Sequence, residues 1–337
     1  MGLRSLCCAL AVATLSCGGA AAQPSSRTAL IQFAPSIVKI EAVDAQGNYQ
    51  LGSGVIVAPR KVVTNCHVTR KARRITVLKH GLRHDADRQF ADTGRDLCLL
   101  RVAALEGDPV PIGRASLLKA GDVVTAVGYT GGIGVQLSDG EVVAKHRWSG
   151  SDVIQSTNGF NSGASGGALF DAHGALVGIL TFRLRGGAAH YFSAPADWLL
   201  ERLDDEPALG PVQPLSGLPF WEEAVPAQPL FLQAAAMKIE RQWDGLARLA
   251  ERRLSEAATD AEAHYLRGVA LDELGRSDDA IESLQHCIDH DPRYSQAWVR
   301  LAQVYRKQGR WDEARRMVST LTRNDPRTAE SVAAELE

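Results

Sequence analysis

The sequence predicts two folded parts of opposite texture, an all-β sandwich or barrel over residues 36–203 and an all-α array of helical repeats over residues 230–337. Three observations predict it. Short β-rich runs punctuated by glycine fill the first part, with no long amphipathic helix between them. Six of the chain's 14 prolines then crowd into residues 207–229. Behind them the pattern turns helical and repeats with a period of 34 residues.

Ahead of the β-rich part lies a stretch that reads as an export leader. Arg4 supplies a positive start, Leu6–Leu15 an apolar run, and Ala20-Ala21-Ala22 a small-residue cleavage site before Gln23. Residues 1–22 are therefore expected to be a signal peptide and residues 23–35 a short N-terminal segment. The apolar run is far below the roughly 20 residues that cross a bilayer, and no later stretch approaches that length, so no membrane span is expected. The expected location is periplasmic or extracellular. Anchoring as a lipoprotein through Cys17 ranks behind plain secretion, because Thr14-Leu15-Ser16 matches a lipobox poorly.

The expected strands are Ile37–Val43, Gly54–Val57, Ile75–Leu78, Leu97–Val102, Val123–Tyr129, Val135–Val143 and Leu176–Phe182. A helical pattern starts at Pro195-Ala196-Asp197-Trp198 and runs to about Leu203. Residues 204–229 are expected to form an extended, semi-rigid linker, since proline at that density blocks both helices and sheet ladders. In the repeats, an offset of 34 pairs Pro292 with Pro326, Gly275 with Gly309, Ala280 with Ala314 and His264 with Trp298. The small alanines let two helices approach closely, and the prolines end the second helix of each unit. The pattern resembles the tetratricopeptide repeat, with clear units at 261–294 and 295–328. A degenerate unit precedes them, in which Trp243 lies two periods before Trp311. Three units is about the number a stable stack needs.

Composition narrows the function. A net charge of −2 gives no electrostatic case for nucleic acid or an anionic membrane as partner, and Arg70–Arg74 reads as a solvated loop. The 45% apolar share is enough for a real core. The chemistry centres on Gly163-Ala164-Ser165-Gly166-Gly167. Glycines on either side of a serine allow a tight turn that exposes the hydroxyl and aims backbone N–H groups at one point. That cluster alone also fits the nucleophile elbow of α/β-hydrolases, a fold that needs a strand-to-helix context and a later acid and histidine. Here only His173 and His190 follow before the repeats, and no parallel βαβ pattern surrounds them.

The upstream context is different. Gly52–Val57 runs into Val62-Val63-Thr64-Asn65-Cys66-His67-Val68. At a distance of 29 residues beyond His67, Asp96-Leu97-Cys98-Leu99-Leu100-Arg101-Val102 sets an acid at the head of an apolar strand. Asp85, Asp87 and Asp92 compete for that role but lie in a polar loop with no strand directly after them. One histidine with two cysteines has no recognised zinc spacing, so no metal is expected.

His67, Asp96 and Ser165 in this order, together with Gly174–Ile179 and Phe192–Asp197, resemble the HtrA-like branch of the trypsin-like serine proteases over residues 36–203. The resemblance implies a chymotrypsin-like double β-barrel that acts as a serine endopeptidase on protein or peptide substrates without a cofactor. It implies His67 as base, Asp96 as the acid that orients it and Ser165 as nucleophile, with the N–H groups of Gly163 and Ser165 as oxyanion hole. Gly159, Phe160, Asn161, Thr181, Phe182 and Arg183 would line the primary pocket; none is acidic, which argues against a taste for Lys or Arg. A fold that joins His67 to Asp96 would also bring Cys66 to Cys98, an expected disulfide whose alternative is two buried thiols. Cys287 is left unpaired on an apolar helix face. Two departures stand out. Ala164 sits where digestive trypsin-like enzymes carry an Asp and HtrA-like relatives commonly an Asn, and helical repeats replace the peptide-binding PDZ domain. Those repeats are expected to recruit substrates or a protein partner. The alternative function is an inactive protease-like scaffold that only binds partners. Nothing in the sequence sets an oligomeric state.

Overall fold

The computed structural model describes residues 34–132, 134–184, 191–203, 208–324 and residue 329. The leader at residues 1–22, with Cys7, Cys8 and Cys17, lies outside the described residues.

Seven strands come first: β1 (Ile37–Val43), β2 (Tyr49–Ala58), β3 (Lys61–Thr64), β4 (Arg74–Lys79), β5 (Leu82–Asp85), β6 (Arg88–Asp92) and β7 (Leu97–Arg101). They pair antiparallel and, with a two-residue strand β14 (Gly210–Pro211) at one edge, form an eight-stranded sheet in the order β14-β6-β7-β3-β2-β1-β4-β5. Sequence pattern explains the placement. On β1 the inward residues Val38, Ile40 and Ala42 alternate with half-exposed ones, as a strand with one wet face requires. On β7 the run Leu97-Cys98-Leu99-Leu100 is buried on both faces, so it sits inside the sheet. This sheet is a half-barrel with free edges at β14 and β5.

The next six strands are β8 (Val123–Thr130), β9 (Gly134–Trp148), β10 (Ser151–Ser156), β11 (Ala168–Asp171), β12 (Leu176–Arg183) and β13 (Tyr191–Pro195). They close into a barrel in the order β10-β13-β12-β11-β8-β9. The double-barrel architecture is thus one closed barrel beside one half-barrel. A four-residue helix α1 (Cys66–Thr69) follows β3, and α2 (Ala196–Leu200) follows β13. One apolar cluster joins the two halves, taking Val55 and Leu97 from the first, Phe170 and Leu176 from the second, and the fully buried Trp198 of α2. A polar fastener crosses the same junction. Ser53 on β2 is fully buried; its hydroxyl accepts from the N–H of Tyr129 at 2.8 Å and donates to the carbonyl of Gly163 at 2.7 Å.

From residue 208 the proline-rich stretch forms no α-helix and lies on the half-barrel as a strap, with a 3-10 turn at Val225–Ala227. Gln89 Nε2 donates to Gln213 O at 2.7 Å, the N–H of Leu215 to Arg70 O at 2.7 Å, and the N–H of Phe220 to Gly94 O at 2.9 Å. Arg70 pairs with Glu222 at 2.6 Å. Phe220 is buried in the cluster that joins the two halves.

Among the described residues, six helices follow as three successive pairs: α3 (Leu230–Ile239) with α4 (Trp243–Glu256), α5 (Ala261–Glu273) with α6 (Ser277–His290), and α7 (Ser295–Lys307) with α8 (Trp311–Asn324). Trp243 and Trp311 each open the second helix of a pair, which gives the degenerate first unit its place in the repeat. Asp260 caps α5 by accepting the N–H of Ala263 at 3.0 Å. Ala280 and Ala314 are buried where the helices of a unit meet, as their small size allows. Cys287 is buried and unpaired, and burial pushes its thiol well above the usual range. The repeats are not free of the barrel, and the first helix of each pair touches it. Phe231 of α3 stacks on His146 of β9 at 4.4 Å, His146 reaches Glu262 of α5 at 3.2 Å, and Gln296 of α7 donates to Val143 O at 2.9 Å.

Two substitutions test this packing. Ser53→Ala strands the half-buried Tyr129 N–H and Gly163 carbonyl at the junction, an expected loss of about 1–2 kcal/mol. It reads out as a lower urea midpoint at unchanged slope. At Gly268 on α5, an added Cβ would stand 2.6 Å from Leu284 Cγ. Gly268→Val therefore forces α5 from α6 and should cost about 1–3 kcal/mol, seen as earlier thermal loss of the helical far-UV signal.

Candidate active site

The site is built where β3, β7 and the loop before β11 meet. β3 delivers Asn65 and then α1, which begins at Cys66 and carries His67 in its first turn. A turn over residues 93–96 delivers Asp96, whose φ of +58° is the left-handed region that Asp tolerates better than most residues. That backbone turn lets the Asp96 carbonyl accept from the N–H of Cys66 at 3.3 Å and from Asn65 Nδ2 at 3.0 Å. Cys66 and Cys98 are joined by a disulfide with a Cα–Cα separation of 4.9 Å. The segments bearing His67 and Asp96 are thus tied covalently as well as by hydrogen bonds.

Asp96 is 0% exposed, and every bond to its carboxylate has a distinct job. Oδ1 accepts the backbone N–H of His67 at 2.8 Å, and Oδ2 meets His67 Nδ1 at 2.7 Å. With Nδ1 carrying the proton, Nε2 is left as the free base. Oδ2 also accepts from the indole Nε1 of Trp221 at 3.0 Å. Trp221 lies edge-on to the His67 ring, with centroids 5.3 Å apart, and stacks on Phe182 at 5.1 Å.

Ser165 sits between the two halves of the fold. Its carbonyl accepts the N–H of Ser53 from β2 at 2.7 Å, and the next N–H, of Gly166, donates to Leu180 O of β12 at 2.8 Å. Its hydroxyl donates to the Thr181 carbonyl at 3.2 Å. His67 and Asp96 are therefore directly bonded, while the Ser165 hydroxyl is engaged by β12. The loop before it is held by Ala164, which is buried; its N–H donates to Asn161 O at 3.0 Å, and its carbonyl accepts from Gly167 at 2.8 Å. Gly163 adopts φ +96°, where a Cβ would stand 2.5 Å from Tyr129 O, so only glycine fits. Neither the N–H of Gly163 nor that of Ser165 donates to another described residue.

The six residues expected at the primary pocket divide. Gly159, Asn161 and Arg183 are exposed, and Arg183 donates to Asn161 Oδ1 at 3.0 Å. Phe160 is buried against Tyr191, with centroids 5.1 Å apart, and Phe182 stacks on Phe192 at 4.8 Å. Thr181 is buried; its hydroxyl donates to Ile179 O at 2.7 Å and accepts from Ala194 N at 3.1 Å. No group of three or more His, Cys, Asp or Glu among the described residues has the arrangement of a metal site. Sequence reasoning missed Trp221. Its only local signal is the pair Phe220-Trp221, the aromatic residues of an otherwise aromatic-free linker.

Comparison with known proteins matches both parts of the chain. The trypsin-like peptidase domain family matches residues 52–179, and the tetratricopeptide repeat family matches residues 273–335. A probable periplasmic serine endoprotease, DegP-like, of Buchnera aphidicola is 35% identical over 147 residues, which is 40% of this chain and 31% of the relative. The periplasmic pH-dependent serine endoprotease DegQ of Escherichia coli is 36% identical over 147 residues, 41% of this chain and 32% of that one. The chain thus spans about a third of the length of these curated relatives. Among solved structures, the HtrA-type protease AlgW with a tripeptide superposes with a TM-score of 0.50 at 30% identity, covering 54% of this chain and 63% of that one. A protease from M. tuberculosis in its active form superposes with a TM-score of 0.50 at 25% identity, covering 56% of this chain and 86% of that one. Residues 52–179 thus carry a trypsin-like peptidase domain similar to those of HtrA-type proteases, followed at residues 273–335 by a segment of tetratricopeptide repeats.

Proposed function

We propose that the chain is an exported serine endopeptidase whose triad is His67, Asp96 and Ser165. The observation that carries the reading is the 2.7 Å contact between His67 Nδ1 and a fully buried Asp96 carboxylate, beside a serine on a glycine-rich loop. A serine hydroxyl is a poor nucleophile at neutral pH, so it needs a base within reach. His67 Nε2 supplies it. The Ser165 hydroxyl leaves the Thr181 carbonyl, turns to His67, gives up its proton and attacks the peptide carbonyl carbon. Asp96 holds the imidazole in the useful tautomer and stabilises the imidazolium that forms. The uncommitted N–H groups of Gly163 and Ser165 receive the oxyanion, a role in which one lost donor costs about 10²–10³ in rate. His67 then protonates the departing amine, and water, deprotonated by the same imidazole, releases the acyl group from Ser165.

The remaining parts of the reading have separate supports. Export rests on the leader-like residues 1–22 and on the periplasmic placement named for the relatives. The domain extents follow the same logic, with the peptidase at 36–203, the strap at 204–229 and the repeats at 230–337. The primary pocket is assigned to Gly159, Phe160, Asn161, Thr181, Phe182 and Arg183, with no acidic group to favour a basic side chain. The repeats recruit a protein substrate or partner through the surface that the barrel leaves open. A groove of about 370 Å³, bordered by Ile281, His286, Tyr305 and Arg310, is one such opening.

Covalent labelling by a fluorophosphonate probe tests the nucleophile directly. The full chain is expected to take up the probe and to cleave casein, and Ser165→Ala to do neither. Equal cleavage by both proteins would remove Ser165 from the mechanism. Asp96→Asn preserves shape but offers His67 the wrong tautomer, and a loss of about 10⁴ in kcat is expected, as in the Ser-His-Asp template.

A further inference from the structure

We propose that Trp221, a residue of the proline-rich strap, is a positioning member of the active site that holds the Asp96 carboxylate through its indole N–H. The inference rests on the triad reading above and goes beyond it by drawing the strap into the catalytic machinery. Three observations converge on it.

First, a fully buried carboxylate must find its donors within the protein, since an unmet charge in a dry site is costly. Asp96 meets three: the backbone N–H of His67 on Oδ1, and His67 Nδ1 and Trp221 Nε1 on Oδ2. Second, the nearest hydroxyl on β12 is spent elsewhere. Thr181 Oγ1 donates to Ile179 O and accepts from Ala194 and from Asn65 Nδ2, so it gives Asp96 nothing. The donor from outside the His67 segment is the indole. Third, Trp221 is fixed before and after by its neighbours. The Phe220 N–H is bonded to Gly94 O two residues ahead of Asp96, the Phe220 ring is buried in the core, and Glu222 pairs with Arg70 at 2.6 Å, three residues beyond His67. The indole stacks on the Phe182 ring and stands perpendicular to the His67 ring.

The consequence is chemical. Two donors on Oδ2 from different directions fix the rotation of the carboxylate about its Cβ–Cγ bond. That rotation in turn sets the direction in which His67 Nδ1 points and hence where Nε2 faces Ser165. Trp221 touches no reacting atom and acts through Asp96.

The test uses the full chain and compares wild type with Trp221→Phe, which keeps an aromatic ring on Phe182 and removes the N–H. One charge-assisted hydrogen bond lost predicts a fall in kcat of about tenfold or more with KM held within about twofold. The His67 Nδ1–H proton resonance, far downfield in the wild type and assigned by its loss in His67→Gln, is expected to move. A rise in KM at constant kcat would make Trp221 a wall of the substrate site only, and a rise in kcat would make it an obstructing cap; either overturns the proposal, as does an unmoved resonance. Should Trp221→Phe fail to fold, Asp96→Asn reads the same bond from its other end: of the chain's six Trp indole N–H signals, one must shift, and six unchanged signals overturn the proposal. If the wild-type chain neither cleaves casein nor labels at Ser165, the endopeptidase reading fails, while the resonances still decide the Trp221 bond.

Discussion

A carboxylate with no exposure to solvent is the constraint around which this molecule is arranged. Removing Asp96 from water costs several kcal/mol that only well-placed donors offset. Those donors have to come from segments far apart in sequence. The helix turn at His67 supplies two, and the strap supplies a third. Holding that arrangement takes backbone as well as side chains: Asp96 adopts positive φ so that its carbonyl faces Asn65 and Cys66 while its side chain faces His67. The Cys66–Cys98 disulfide then joins the two short segments covalently.

The serine is placed by a second, independent device. Its loop is pinned to β2 through Ser53 and to β12 through Gly166, one anchor in each half of the fold. The half-barrel therefore carries His67 and Asp96, the closed barrel carries Ser165, and the junction sets the two halves side by side. Ala164 fits this scheme as a small buried residue whose backbone amide and carbonyl both serve the loop.

Much of this was legible in the residues. His67, Asp96 and Ser165 stand out because each sits on a local motif whose residue types the chemistry needs, and because their order matches a known family. The strand spans were readable from runs such as Ile37–Val43, and the helix pairs from the recurrence of Ala280 at Ala314 and Gly275 at Gly309. Trp221 was not readable. Its contact to Asp96 spans 125 residues across a proline-rich stretch with no period, and nothing local separates a strap bonded to a barrel from a spacer in solvent. The open edge of the first sheet was hidden for a related reason, since closure depends on which strands pair and not on any strand's own sequence. The burial of Phe160 also escaped, because a pocket residue and a core residue can share the same side chain.

The arrangement carries a clock as well as a shape. Strands β1–β7, the disulfide and the His67–Asp96 contact all fall within residues 37–101. Ser165 arrives later with the closed barrel, and Trp221 later still. Order along the chain thus puts His67 and Asp96 ahead of Ser165 and the strap last, so the candidate site is complete only once residue 221 is in place.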